Sequence, residues 1–142
     1  MRQVGSLSSQ KPTVFIIHNN EDVNTLLAGT FWLKGFQPDK FTDGKECLKR
    51  VREIDGNVDA LVINRETALD NDLMLIVNMK RINPNTKILV LVDEELDETK
   101  MYEYGADEIS LTPLSPIDVI DKLILLISKS KGLERQNDLV WW

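Results

Sequence analysis

The only histidine of this 142-residue chain, His18, stands directly after the apolar run VFII (residues 14–17) and is followed by two amides, Asn19 and Asn20. A second apolar run, DALVIN (59–64), stops at another amide, Asn64, with Arg65 behind it. A third, ILVLV (88–92), ends at Val92 and hands over to Asp93. A more polar stretch of strand length, DEISL (107–111), leads into Thr112 and Pro113. Apolar runs of strand length that end on polar residues read as buried parallel strands, and an α/β sheet gathers its chemistry at the carboxyl ends of such strands. The groups gathered here are an imidazole, amides, a hydroxyl, a guanidinium and the single carboxylate of Asp93, and one carboxylate makes a weak magnesium site. One histidine and one cysteine (Cys47) exclude a Cys/His zinc set, and the single thiol has no internal disulfide partner. No Gly-rich or Ser/Thr-rich phosphate loop follows the first run, which places a flavin or other small-ligand site lowest among the readings.

The elements that must position these residues follow from pattern. Asn19 or Asn20 caps a first helix whose first turn holds Glu21 and Asp22, where negative charge suits the helix dipole. Val23, Leu26, Leu27, Thr30, Phe31 and Leu33 have helical spacing and are expected to face the core, and Gly35 ends the helix. Residues 36–41 form a polar strand holding Pro38, which suits a sheet edge. Asp43 opens the second helix with Glu46 in capping-box spacing, and Cys47, Leu48, Val51 and Ile54 form its buried stripe. Cys47 is therefore a small core residue rather than a reactive thiol. After the DALVIN strand a loop from 65 to about 71 leads into a helix over 72–82, ended by Asn83-Pro84-Asn85. The ILVLV strand is the most apolar and belongs at the sheet centre. A short helix over 97–104 stops at Gly105, a fifth strand covers 107–111, and Ser115 caps a last helix that opens at Pro116 and ends near Gly132.

Strands and helices in strict alternation specify an α/β fold: a doubly wound, five-stranded parallel sheet of order 2-1-3-4-5 with right-handed crossovers. Residues 1–11 are read as an N-terminal extension, 12–131 as the domain and 132–142 as a tail. A hydrophobic share of 42% and the length suit one domain with one core. No apolar run reaches a membrane span, and MRQVGSLSSQ lacks the apolar region of a signal peptide, so a cytoplasmic protein is expected. The net charge of −6 opposes direct contact with nucleic acid, which leaves room for a DNA-binding domain elsewhere in a longer chain.

Over about residues 11–129 the chain resembles a response-regulator receiver domain of the CheY-like, flavodoxin-like (βα)5 type. YGADEISLTPLSP matches the family's AGAxxYLxKPxxP segment at Gly105, Ala106, Asp107 and Pro113. HNNED follows VFII where receivers carry an acidic pair, and Asn64 ends the third strand where the phospho-accepting aspartate stands. The resemblance maps the acidic pair onto His18 and Asn19, the switch hydroxyl onto Val92, the lysine onto Thr112 and the switch aromatic onto Ile109. Every chemical position is replaced. Asn64 is a neutral amide that cannot form an acyl phosphate, His18 and Asn19 offer no anionic oxygen to hard Mg²⁺, and Val92 cannot hydrogen-bond a phosphoryl group. Val92 and Ile109 are expected to pack together and hold the switch in one state, and Asn64 to hydrogen-bond the loops around it. Thr112-Pro113 is expected to keep the family's cis peptide.

The resemblance thus implies a non-catalytic pseudo-receiver, with no metal and no cofactor, that works by protein–protein interaction in a two-component-type pathway. The rival is a receiver phosphorylated at a substitute acceptor, Asp70, Asp72 or Asp93, or the receiver portion of a longer transcriptional regulator. Receivers commonly meet partners or a second copy on the surface of the fourth helix, fifth strand and last helix, which here brings in Met101, Tyr102 and Tyr104. Of these, Met101 or Tyr104 must face the core. Trp141 and Trp142 at the tail are a second candidate contact, for a partner or a homodimer, and Trp32 a third.

Overall fold

The computed structural model describes residues 11–92, 98–111 and 115–140, the stretch 129–140 as backbone alone. Along the chain lie β1 (Thr13–Ile17), α1 (Glu21–Leu33), β2 (Gln37–Phe41), α2 (Gly44–Glu53), β3 (Ala60–Asn64), the single turn α3 (Arg65–Ala68), α4 (Leu75–Ile82), β4 (Lys87–Val92), α5 (Glu98–Tyr104), β5 (Glu108–Leu111) and α6 (Pro116–Val140). All strand pairs are parallel and the sheet order is β2-β1-β3-β4-β5, as the apolar runs predict. Asp93, Thr112, Pro113, Trp141 and Trp142 lie outside the described residues, and so does the expected cis peptide.

Side chains alternate across the sheet and build two cores. Ile17, Ile63, Val90 and Ile109 stand in register across four strands, and with Phe15, Leu61 and Ile88 they meet α2, α4 and α5. Val14, Ile16, Val62 and Leu89 point the other way, onto Leu27 and Phe31 of α1 and Val119, Ile120 and Leu123 of α6. Each such side chain, once fully buried, contributes about 1.5–3 kcal/mol.

Both edges of the sheet are closed to further pairing. Gln37 N–H donates to Pro12 O at 2.8 Å, so alternation turns Pro38 outward, where no partner needs its missing N–H. At the other edge the N–H of Ile109 donates to Glu108 Oε1 at 3.1 Å, and Lys122 Nζ donates to the Ile109 carbonyl at 3.2 Å.

Three local expectations are corrected. On α1 the buried positions are Asn24, Leu27 and Phe31, while Leu26 is 54% and Leu33 83% exposed. The two leucines lie seven residues apart on the face opposite the core, and Asn24 takes the inward place because its amide serves the ends of two strands. α4 begins at Leu75 rather than 72, because Asp70 Oδ1 accepts from the N–H groups of Asp72 (3.0 Å) and Leu73 (3.2 Å). This turn withholds those groups from a helix, and Met74 then enters α4 with a left-handed φ of 47°. α6 runs through Gly132 to Val140. One glycine costs a helix only about 1 kcal/mol, and Leu133, Glu134, Arg135 and Gln136 are good helix formers.

Candidate functional site

The carboxyl ends of β1, β3 and β4 form the mouth of the sheet. At the end of β1, His18 is half-buried and its Nδ1 accepts the Asn20 N–H at 2.9 Å. Asn20, not Asn19, is the cap of α1: its Oδ1 accepts from the N–H groups of Asp22 and Val23 at 2.9 and 3.2 Å. Asn19 is exposed. Asn24 is fully buried, and its Nδ2 donates to the carbonyls of His18 (2.8 Å) and Phe41 (2.9 Å), tying the ends of β1 and β2 together. Its Oδ1 has no hydrogen-bond partner among the described residues.

Asn64, 2% exposed, closes β3. The Thr67 hydroxyl donates to its Oδ1 at 2.7 Å, and its Nδ2 donates to Glu66 Oε1 at 3.2 Å. The amide is therefore held on both sides by α3. Beside it, Gly44 opens α2 so close to the Leu73 and Thr67 side chains that a Cβ there would collide with Leu73. The recess that remains, about 290 Å³, is bordered by Thr42, Asp43, Lys45, Glu66, Thr67 and Asp70. Asp70 is engaged by the N–H groups of Asp72 and Leu73, and Asp72 is exposed.

Val92, 1% exposed, and Ile109 belong to one apolar cluster on the α2/α4/α5 side of the sheet. Ile109 pairs with Val90, which places it diagonally to Val92 on the same face. Met101 is fully buried, Tyr104 packs against the same cluster from a half-buried position, and Tyr102 is exposed. Cys47 lies in this core as well; burial pushes its thiol pKa far up, and the Asp39 carboxylate raises it further. The thiol stays neutral and unreactive in the folded chain.

Two side-chain networks give a structural role to residues whose bonding the sequence pattern did not reveal. Asp107 Oδ2 receives both Lys80 Nζ and the Ile88 N–H at 2.8 Å, which stitches α4, β4 and β5 together. Gly105, at φ 119°, turns the chain into that arrangement, with Ala106 buried beside it. The Gly-Ala-Asp of the matched segment is thus a structural device. Asn24 is the other, and the signal for it was a polar residue at a core-facing position of α1.

The receiver resemblance implies Mg²⁺, and the described donors do not fit it. Asn64 and Asn19 are neutral, Glu66 is exposed and receives the Asn64 amide, and among the described residues no three His, Cys, Asp or Glu side chains are placed to hold a metal ion. No helix among the described residues is long and apolar enough to cross a membrane.

No protein-family model matches the sequence, and no curated protein matches it. Solved structures do. A response regulator from Thermotoga maritima superposes with a TM-score of 0.72 at 18% identity, covering 84% of this chain and 99% of that one. The chemotaxis protein CheY4 of Vibrio cholerae gives 0.73 at 15% identity, covering 82% and 99%. A response regulator from Burkholderia pseudomallei, solved with a phosphorylated aspartic acid, a calcium ion and citrate, gives 0.67 at 20% identity, covering 91% and 74%. At these identities the likeness is one of fold: the chain has the five-stranded parallel architecture of CheY-like receiver domains.

Proposed function

We propose that this chain is a non-phosphorylatable receiver-like signalling module, without enzymatic activity, that acts by protein contact in a two-component-type or related regulatory pathway. The observation that carries the reading is Asn64. It closes β3 as a neutral amide, 2% exposed and bonded on both sides to Thr67 and Glu66. An amide of this kind has no lone-pair oxygen of carboxylate strength to attack phosphorus. The Burkholderia relative, solved with a phosphorylated aspartic acid, carries that modification on the residue type this position lacks. The packing of Val92 and Ile109 in one cluster supports a fold held in a single state rather than one that switches.

The contact surface runs over α5, β5 and α6, where Tyr102 and Leu111 are exposed while Met101 anchors α5 to the core. The test is incubation of the whole chain with acetyl phosphate and Mg²⁺ followed by intact-mass measurement. The mass is expected to stay unchanged. A stoichiometric, acid-labile phosphoryl adduct of about 80 Da would overturn the reading, and peptide mapping would name the acceptor.

A further inference from the structure

The outward face of α1 carries an apolar stripe. Asp22, Leu26, Gly29 and Leu33 recur at i, i+4, i+7 and i+11, so they share one side of the helix. Leu26 is 54% and Leu33 83% exposed, and Trp32 beside Leu33 is 52% exposed. Between the leucines Gly29 is exposed, and a Cβ built there would meet nothing within 4 Å. The stripe therefore dips to bare backbone at its centre. Large apolar side chains gathered in this way mark a surface that something covers.

The chain itself is led to one end of that stripe. Lys11 Nζ stands over the Trp32 ring, 4.4 Å from its centroid, and the Pro12 carbonyl accepts the Gln37 N–H at 2.8 Å. Both contacts hold the entry to β1 beside the C-terminal end of α1. The segment MRQVGSLSSQ, residues 1–10, precedes Lys11. From Leu33 back to Asp22 the helix rises about 16 Å, and the chain from Lys11 to Arg2 spans up to about 30 Å, so the segment reaches the whole stripe. Met1, Val4 and Leu7 recur at every third position, the repeat of a polyproline-II backbone, which would set them on one side. Charge agrees as well. The segment has Arg2 and no acid, while Asp22 is exposed in the first turn of α1. Glu21 next to it is already met by Lys40 at 3.4 Å, and among the described residues no ion pair engages Asp22.

We propose that residues 1–10 fold back over α1 as a strap, with Leu7 and Val4 resting on Leu33, Gly29 and Leu26, and Arg2 pairing with Asp22. The bare backbone at Gly29 lets the strap approach the helix closely. The tether selects this occupant. A segment joined to the edge of the stripe has a high effective concentration there, far above that of any free copy of the chain. The strap turns an open apolar helix face into a covered one. The contact goes beyond the signalling role proposed above and holds whether or not Asn64 takes a phosphoryl group.

The test is paramagnetic broadening in the ¹⁵N-labelled full chain with a nitroxide attached at S6C. The buried Cys47 thiol does not compete for the label. The amides of Leu26, Gly29 and Leu33 are expected to lose intensity, and those of Met101 and Tyr102 in α5, on the other side of the sheet, to keep it. V4D/L7D and L26D/L33D are each expected to abolish that loss. Far-UV circular dichroism should stay unchanged in L26D/L33D, since both leucines lie outside the core. R2E should weaken the loss, and R2E/D22R should restore it. A mixture of spin-labelled ¹⁴N chain with unlabelled ¹⁵N chain is expected to show no broadening. Broadening in that mixture would assign the face to a second copy and overturn the strap. Full peak intensity along α1, or a loss untouched by both double-aspartate variants, would overturn it equally.

Discussion

At the mouth of the sheet, two buried amides donate back onto the fold, and the Oδ1 of Asn24 alone is left without a partner among the described residues. Asn24 bonds the ends of β1 and β2, and Asn64 bonds Thr67 and Glu66. Between β5 and α6 the polar side chains face outward: Asp118 and Asp121 are exposed, and no ion pair engages them among the described residues. Polar groups that satisfy one another stabilise a structure and leave little for a ligand, whereas polar groups left open cost little when exposed and remain available for recognition. The difference separates a buried, internally bonded region from an exposed, charged one. Substitutions at the mouth should therefore change stability more than substitutions of the exposed residues between β5 and α6.

The largest effect is expected at Asn24. N24A removes both donors and leaves the His18 and Phe41 carbonyls without that partner, at a cost of about 2–4 kcal/mol in urea denaturation. A loss under about 1 kcal/mol would mean that the clamp is dispensable. Next comes Asn64. N64A is expected to lose about 1–3 kcal/mol, since the Thr67 hydroxyl and Glu66 carboxylate lose their partner. N64D tests the electrostatics of the same spot. A buried carboxyl beside Glu66 has its pKa raised above the unfolded value, so the folded state holds the proton longer than the unfolded one. The stability of N64D should thus be highest at acid pH and fall as pH rises through neutrality, relative to the parent chain. A pH-independent difference would contradict that.

On α6, D118K/D121K should move stability by under about 1 kcal/mol, mostly through the helix dipole. A large destabilisation would show that these carboxylates are structural. The smallest effect at neutral pH belongs to Cys47. Its folded pKa lies above the ordinary thiol value of 9.0, so its contribution is complete below that value and declines as pH rises past it. C47A should flatten the alkaline limb of the stability curve and leave the neutral part with a uniform offset, and the native thiol should resist alkylation at pH 8.

The sequence made the frame legible because the frame depends on local pattern. DALVIN and ILVLV are continuous apolar runs, and they became the central strands β3 and β4, buried on both faces. Pro38 marked the edge strand, and Asp43 and Ser115 marked helix starts that the structure places at Gly44 and Pro116. What stayed hidden depends on partners distant in sequence. Asn24 is inward because two strand-end carbonyls need a donor, and apolar periodicity alone put Leu26 and Leu33 there instead. The late start of α4 follows from the Asp70 side chain, which takes the N–H groups of Asp72 and Leu73 from a helix. The engagement of Lys122 by the Ile109 carbonyl was hidden for the same reason.

We read the mouth of the sheet as a receiver-like scaffold in which the amide of Asn64, bonded to Thr67 and Glu66, stands in exchange for anionic oxygens. ¹⁵N–¹H NMR of the whole chain during addition of Mg²⁺ and then beryllofluoride probes that exchange at the site itself. The amides of His18, Asn64 and Val92 are expected to stay where they are at every concentration. A saturable shift centred on Asn64 would contradict it.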